Sequence, residues 1–126
     1  MSKYLIDTSL IIDYLRDHRP TVRLLKELLS NNNQLYLSVL TQAELYAGLS
    51  SRKYEFRHAL ASLTVSFKKI LLDEDTAVKA GYLKRDYDVT LFDAIIAATA
   101  LNNRVTLITR DKDFNRIKEL KKLKII

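Results

Sequence analysis

The stretch KYLIDTSLIIDYL, residues 3–15, joins two apolar runs through one carboxylate and two hydroxyls. Tyr4 to Ile6 reads as a short buried strand. Beyond Asp7, the residues Leu10, Ile11, Tyr14 and Leu15 recur at helical spacing up to about Arg16, with Ser9 or Thr8 available as the cap. A strand that passes at once into a helix is the opening unit of an α/β fold. It also aims Asp7 off the carboxyl end of that strand.

The same alternation continues along the chain. Pro20 opens a second helix that carries Val22, Leu24, Leu25, Leu28 and Leu29, and SNNN at 30–33 stops it. QLYLSVL (34–40) reads as a strand. Thr41 then caps a helix with Glu44 at the capping-box position and Gly48 near its far end. A helix over 52–63 precedes a strand at 67–73. The next helix, 75–85, offers Ala77, Ala80, Gly81 and Leu83 for packing. FDAIIAATALNN (92–103) is apolar nearly all round, as in a helix buried on most of its surface. VTLIT (105–109) is the clearest strand, RDKDFNRI opens a short polar helix, and LKII supplies a last edge strand.

The predicted order is β-α-α-β-α-α-β-α-α-β-α-β. Short aliphatic strands between helices imply a three-layer α/β/α sandwich around a mainly parallel sheet of about five strands. With 126 residues and no linker or low-complexity segment, residues 1–126 read as a single domain. The chain has no cysteine, which excludes disulfides and thiolate metal sites. No apolar run approaches the roughly 20 residues of a membrane span, and no signal pattern opens the chain, so a cytoplasmic protein is expected.

Open parallel sheets carry their functional groups beyond the carboxyl ends of the strands. Asp7, Glu44, Asp93 and Asp111 all fall there, with Asp113 close behind. Each has an ordinary explanation alone, as a turn residue, a capping acid or a partner for a helix dipole. Together they repel one another by several kcal/mol at intermediate dielectric, roughly. Such a cluster persists only if protonated or neutralised by a cation. Oxygen-only ligands suit a hard divalent ion, Mg²⁺ or Mn²⁺.

YLIDTSLIIDYL, LTQAELYAG, FDAIIAATAL and LITRDKDF together resemble the PIN-domain ribonucleases, in particular the VapC toxins of prokaryotic toxin–antitoxin pairs. The likeness covers essentially the whole chain, with the motifs in family order. It implies metal-dependent endonucleolytic cleavage of RNA that leaves 5′-phosphate and 3′-hydroxyl ends. Asp7, Glu44, Asp93 and Asp111 take the four acidic positions of that family. Asp7, Asp93 and Asp111 would hold the metal or its waters, and Glu44 would bind metal or help to deprotonate the nucleophile. Thr8 or Ser9, and Thr109, match supporting hydroxyl positions. Where relatives often read TRN-x-x-DF, this chain reads TRDKDF, so the fourth acid is Asp111 or Asp113; Asp111 is nearer the strand end. Asp13, two turns into the first helix, is expected to face solvent.

The formal charge of +6 is concentrated: residues 104–126 carry 8 Lys/Arg against 3 acids, residues 1–103 carry 13 against 12. A basic segment suits a polyanion, and Arg110 and Lys112 are the nearest candidates for phosphate contact. The resemblance further implies a homodimer and a VapB-like antitoxin that occludes the site. Tyr36, Tyr46, Leu49, Tyr54 and Phe56 could form the apolar surface required.

Rival classes fit less well. Haloacid-dehalogenase-like phosphatases need a second Asp two residues after the first, where this chain has Ser9. A receiver domain needs a late-strand Lys that ITRD lacks. A catalytically silent PIN-fold module for RNA or protein binding is the alternative from another class. Loss of a site acid would favour it, and all four are present.

Overall fold

The computed structural model describes residues 2–124. Five strands, β1 (Lys3–Ile6), β2 (Gln34–Ser38), β3 (Lys68–Ile70), β4 (Thr106–Thr109) and β5 (Lys122–Lys124), form one sheet in the order β3-β2-β1-β4-β5. Every neighbouring pair is parallel. The helices are α1 (Thr8–Leu15), α2 (Arg19–Ser30), α3 (Val39–Ala47), α4 (Tyr54–Thr64), α5 (Glu74–Asp86) and α6 (Leu91–Asn103). Short 3-10 turns occupy Leu49–Arg52 and Lys112–Arg116. The element order and the three-layer α/β/α arrangement are those expected from sequence. The end of the expected last strand, Ile125 and Ile126, lies outside the described residues.

The two-residue period of the strands divides the core. Leu5 and Leu107 are register partners, and both pack with Ala80, Leu83, Ala94, Ala97 and Ala98 of α5 and α6. The next pair, Ile6 and Ile108, packs on the opposite face with Leu10, Ile11, Leu25, Leu45 and Leu60. Alanines on α6 let it lie close to the sheet. A larger residue at fully buried Ala97 would overpack this layer by about 1–3 kcal/mol.

Helix starts differ from expectation in two places. Asp7 itself caps α1, accepting from the Thr8 N–H at 2.8 Å, so neither Thr8 nor Ser9 is the cap. Ser38 caps α3 through the Leu40 N–H at 3.1 Å, three residues earlier than Thr41. QLYLSVL looks like one strand because its apolar run is continuous. Its serine ends that strand by satisfying an orphan donor of the next helix. Thr41 is fully buried inside α3 and accepts from the Thr8 hydroxyl at 3.2 Å. Glu44 therefore lies in the second turn, not at a capping-box position.

Helix α5 also departs in detail. Thr76, Ala80 and Leu83 are its buried residues, while Ala77 and Gly81 are exposed. Helix α6 ends at Arg104, in the left-handed region at φ 54°. Val105 N–H donates to Ala100 O at 3.1 Å and Arg104 N–H to Leu101 O at 3.3 Å. That is the Schellman pattern, usually closed by glycine.

Candidate active site

The chain leaves β1 towards β2 and β3 on one side and returns to β4 and β5 on the other. The switch in strand order therefore falls between β1 and β4, where an open parallel sheet forms a crevice beyond its carboxyl ends. The register pairs Ile6 with Ile108, so Asp7 and Thr109 come next on adjacent strands.

Asp7 is 6% exposed. Its Oδ1 accepts from Thr8 N–H at 2.8 Å, and its Oδ2 from the hydroxyls of Ser9 at 3.2 Å and Thr109 at 2.7 Å. Burial raises its pKa against the opposing pull of those hydrogen bonds, and the charge of Asp111 raises it further. Thr109 also accepts from Asp111 N–H at 3.0 Å, so one buried hydroxyl orients two site acids.

Asp93 sits in the first turn of α6, its N–H bonded to the capping Thr90 hydroxyl at 3.1 Å. Desolvation, then the charges of Asp111 and Asp7, push its pKa up to about 6. Asp111 caps the 3-10 turn through Asp113 N–H at 2.9 Å. Asp93, Asp111 and Asp113 are half-buried, and each places a carboxylate oxygen within 4.8 Å of the other two. Geometry thus brings Asp113 in beside Asp111 rather than choosing between them.

Glu44 is not in that trio. It is exposed on α3, on the wall of a groove of about 350 Å³ lined also by Ile12, Arg16, Leu45, Leu49 and Phe56. Arg110 donates to Asp13 at 2.7 Å, so the guanidinium is already engaged at the rim. This corrects the reading of Asp13 as a solvent-facing acid: it is half-buried and tied to the residue after β4. Lys112 is exposed and makes no ion pair among the described residues.

Sequence reasoning missed Thr90 and Arg116, and it read Thr41 as a helix cap rather than as the buried partner of Thr8. Arg116 pairs with Asp113 at 3.1 Å and donates to Asp88 O at 3.0 Å. The i,i+3 spacing of Asp113 and Arg116 was the available signal. Of the five residues considered for an apolar surface, Tyr46, Leu49 and Tyr54 are exposed. Tyr36 and Phe56 instead pack against the two cores.

Carboxylates collected at the central crevice of this sheet define the class. The chain belongs to the PIN domain family, whose model matches residues 4–120. It is similar to Ribonuclease VapC19 of Mycobacterium tuberculosis, with 34% identity over 113 residues, covering 83% of this chain and 86% of the relative. A toxin-antitoxin complex from Klebsiella pneumoniae contains a chain of the same fold, with TM-score 0.81 and 30% identity over 97% of this chain and 99% of that one. VapBC-1 from nontypeable Haemophilus influenzae gives TM-score 0.78 and 29% identity, covering 97% of each chain.

Proposed function

We propose that this protein is a divalent-metal-dependent endoribonuclease and the toxin of a VapBC-type pair, with residues 1–126 acting as one PIN-like domain. The observation that carries the reading is the convergence of Asp93, Asp111 and Asp113 beside buried Asp7 at the strand switch. The assignment of RNA as substrate rests on the similarity to a ribonuclease over most of the chain.

The donor set fits Mg²⁺ or Mn²⁺: three carboxylate oxygens lie within 4.8 Å of one another, and among the described residues the one ion pair they form is Asp113–Arg116. A bound ion would polarise the scissile phosphate and lower the pKa of a coordinated water. Asp93 and Asp111 would hold it with Asp7, directly or through water, and Asp113 would support them. The three hydrogen bonds to Asp7 fix its carboxylate, and Thr109 keeps Asp111 in register with it. Glu44, Asp7, Asp93 and Asp111 are the residues that carry the reaction, with Glu44 ligating the ion or accepting the proton of the attacking water. Thr8 and Ser9 steady the Asp7 turn. Lys112, and Arg110 once released from Asp13, would contact the substrate phosphates.

The partner follows from the same reading. A VapB-like antitoxin segment seated in the Ile12–Leu45–Leu49–Phe56 groove would cover Glu44. The active form would be a homodimer acting on cytoplasmic RNA. No helix among the described residues is long and apolar enough to cross a membrane.

The test is incubation of purified protein with mixed RNA in Mg²⁺, Mn²⁺ or chelator, beside Asp7→Asn and Asp93→Asn. Metal-dependent cleavage absent from both variants supports the reading. A folded wild type that binds RNA and cuts nothing would move the silent binding module ahead.

A further inference from the structure

At the opposite end of the sheet from the acids lies a second concavity, of about 530 Å³, lined by Ser2, Lys3, Tyr4, Arg104, Thr106, Lys121 and Leu123. It brings three cations from the start of β1, the end of α6 and the approach to β5 to one hollow, with no carboxylate in its lining. None of Lys3, Arg104 and Lys121 forms an ion pair among the described residues. Glu119 borders an adjoining hollow with Arg104 and Lys121, where it accepts from the Tyr87 hydroxyl. The core needs none of these charges, since all three side chains belong to exposed residues.

Arg104 is the informative member. Its backbone stands at φ 54°, where a residue with a Cβ is disfavoured and glycine or asparagine is usual. Arginine complements the helix dipole there, and it adds a cation to the lining of the hollow at a position glycine usually takes. Half-buried Tyr4 also lines the hollow while packing in part against the core on the Ile6–Ile108 face. Cations with an aromatic are the elements that hold single-stranded nucleic acid, by phosphate contact and base stacking. A free inorganic anion would have no use for the ring. Lys3 and Asp7 mark opposite ends of β1, about 13 Å apart along the strand. In the chain, Lys112, Arg116 and Lys118 fall between Asp111 and Lys121, part of the basic C-terminal segment.

We propose that the Lys3–Arg104–Lys121 hollow is a second RNA-binding subsite, holding a phosphodiester segment of the substrate remote from the bond that is cut. This rests on the ribonuclease reading for its substrate. It makes substrate length a determinant of affinity.

The experiment uses the full chain and two probes, a long single-stranded RNA and a trinucleotide, with binding read by fluorescence anisotropy in chelator. Arg104→Gly with Lys121→Gln is the test variant; glycine relaxes the left-handed turn, so thermal stability should hold or rise and unfolding would not account for lost binding. The variant should bind the long RNA about 10-fold more weakly, with a salt slope lower by about 1.4. Its affinity for the trinucleotide should be unchanged. Equal binding of the long RNA by variant and wild type would overturn the proposal. So would inorganic phosphate displacing the long RNA at equal ionic strength, which would mark a simple anion site. Because no step requires cleavage, a wild type that binds in this pattern without cutting leaves the subsite standing and removes the nuclease reading alone.

Discussion

The hydroxyl of Thr109 donates to Oδ2 of Asp7 at 2.7 Å, closing a contact between residues 102 apart in the chain. The Thr109 hydroxyl in turn accepts from Asp111 N–H, so the carboxyl ends of β1 and β4 are locked in one register around a single buried side chain. Thr109→Val keeps the shape and removes both hydrogen bonds. Groups that orient metal ligands typically cost about 10–100-fold in metal affinity or activity when lost. We expect that loss for valine and substantial recovery for Thr109→Ser, read as metal-dependent cleavage rates at matched protein stability.

Asp93 makes the metal-free protein pH-sensitive. Its pKa is raised from 3.8 to about 6, so the folded state holds that proton more tightly than the unfolded chain does. The resulting stabilisation is complete below pH 3.8 and is lost as pH rises through about 6. Buried Asp7 acts in the same direction. Melting temperature in chelator should therefore fall between pH 5 and pH 7, and Asp93→Asn should flatten that fall. Saturating Mg²⁺ should restore stability at pH 7, because the ion replaces the proton as the source of positive charge.

Gly81 is a stability defect that the site does not need. It lies inside α5, and a Cβ built there meets nothing within 4 Å. Gly81→Ala should raise unfolding free energy by about 0.5–1 kcal/mol with cleavage unchanged, measured by denaturant titration.

Asp13 restrains Arg110. Their pair is partly exposed, with side chains 21% and 35% accessible, so its contribution to stability is about 0–1 kcal/mol. Asp13→Asn should leave the melting temperature almost unchanged. Releasing the guanidinium should lower KM for RNA without changing kcat.

The layer order was legible because strands and helices differ in apolar period, and α6 announced its burial by being apolar all round. Asp7, Asp93 and Asp111 were legible as strand-end or helix-start acids. Ser38 was hidden because one polar residue in QLYLSVL does not interrupt the apolar pattern, which moved the expected start of α3 to Thr41. The Asp13–Arg110 pair and the Thr8–Thr41 hydrogen bond join residues 97 and 33 apart, and nothing local marks either. The joint position of Asp111 and Asp113 depends on Asp111 standing in extended backbone as the cap of a 3-10 turn, where its carboxylate reaches back to the Asp113 N–H.

The most direct test of the central claim is cleavage of mixed RNA against Mn²⁺ concentration, with bound Mn²⁺ measured in the same samples for wild type and Asp93→Asn. Cleavage that rises with Mn²⁺ occupancy in the wild type, with both lost in a folded Asp93→Asn, is the predicted result. Cleavage that persists in chelator, or a variant that binds Mn²⁺ and cuts RNA like the wild type, would contradict it.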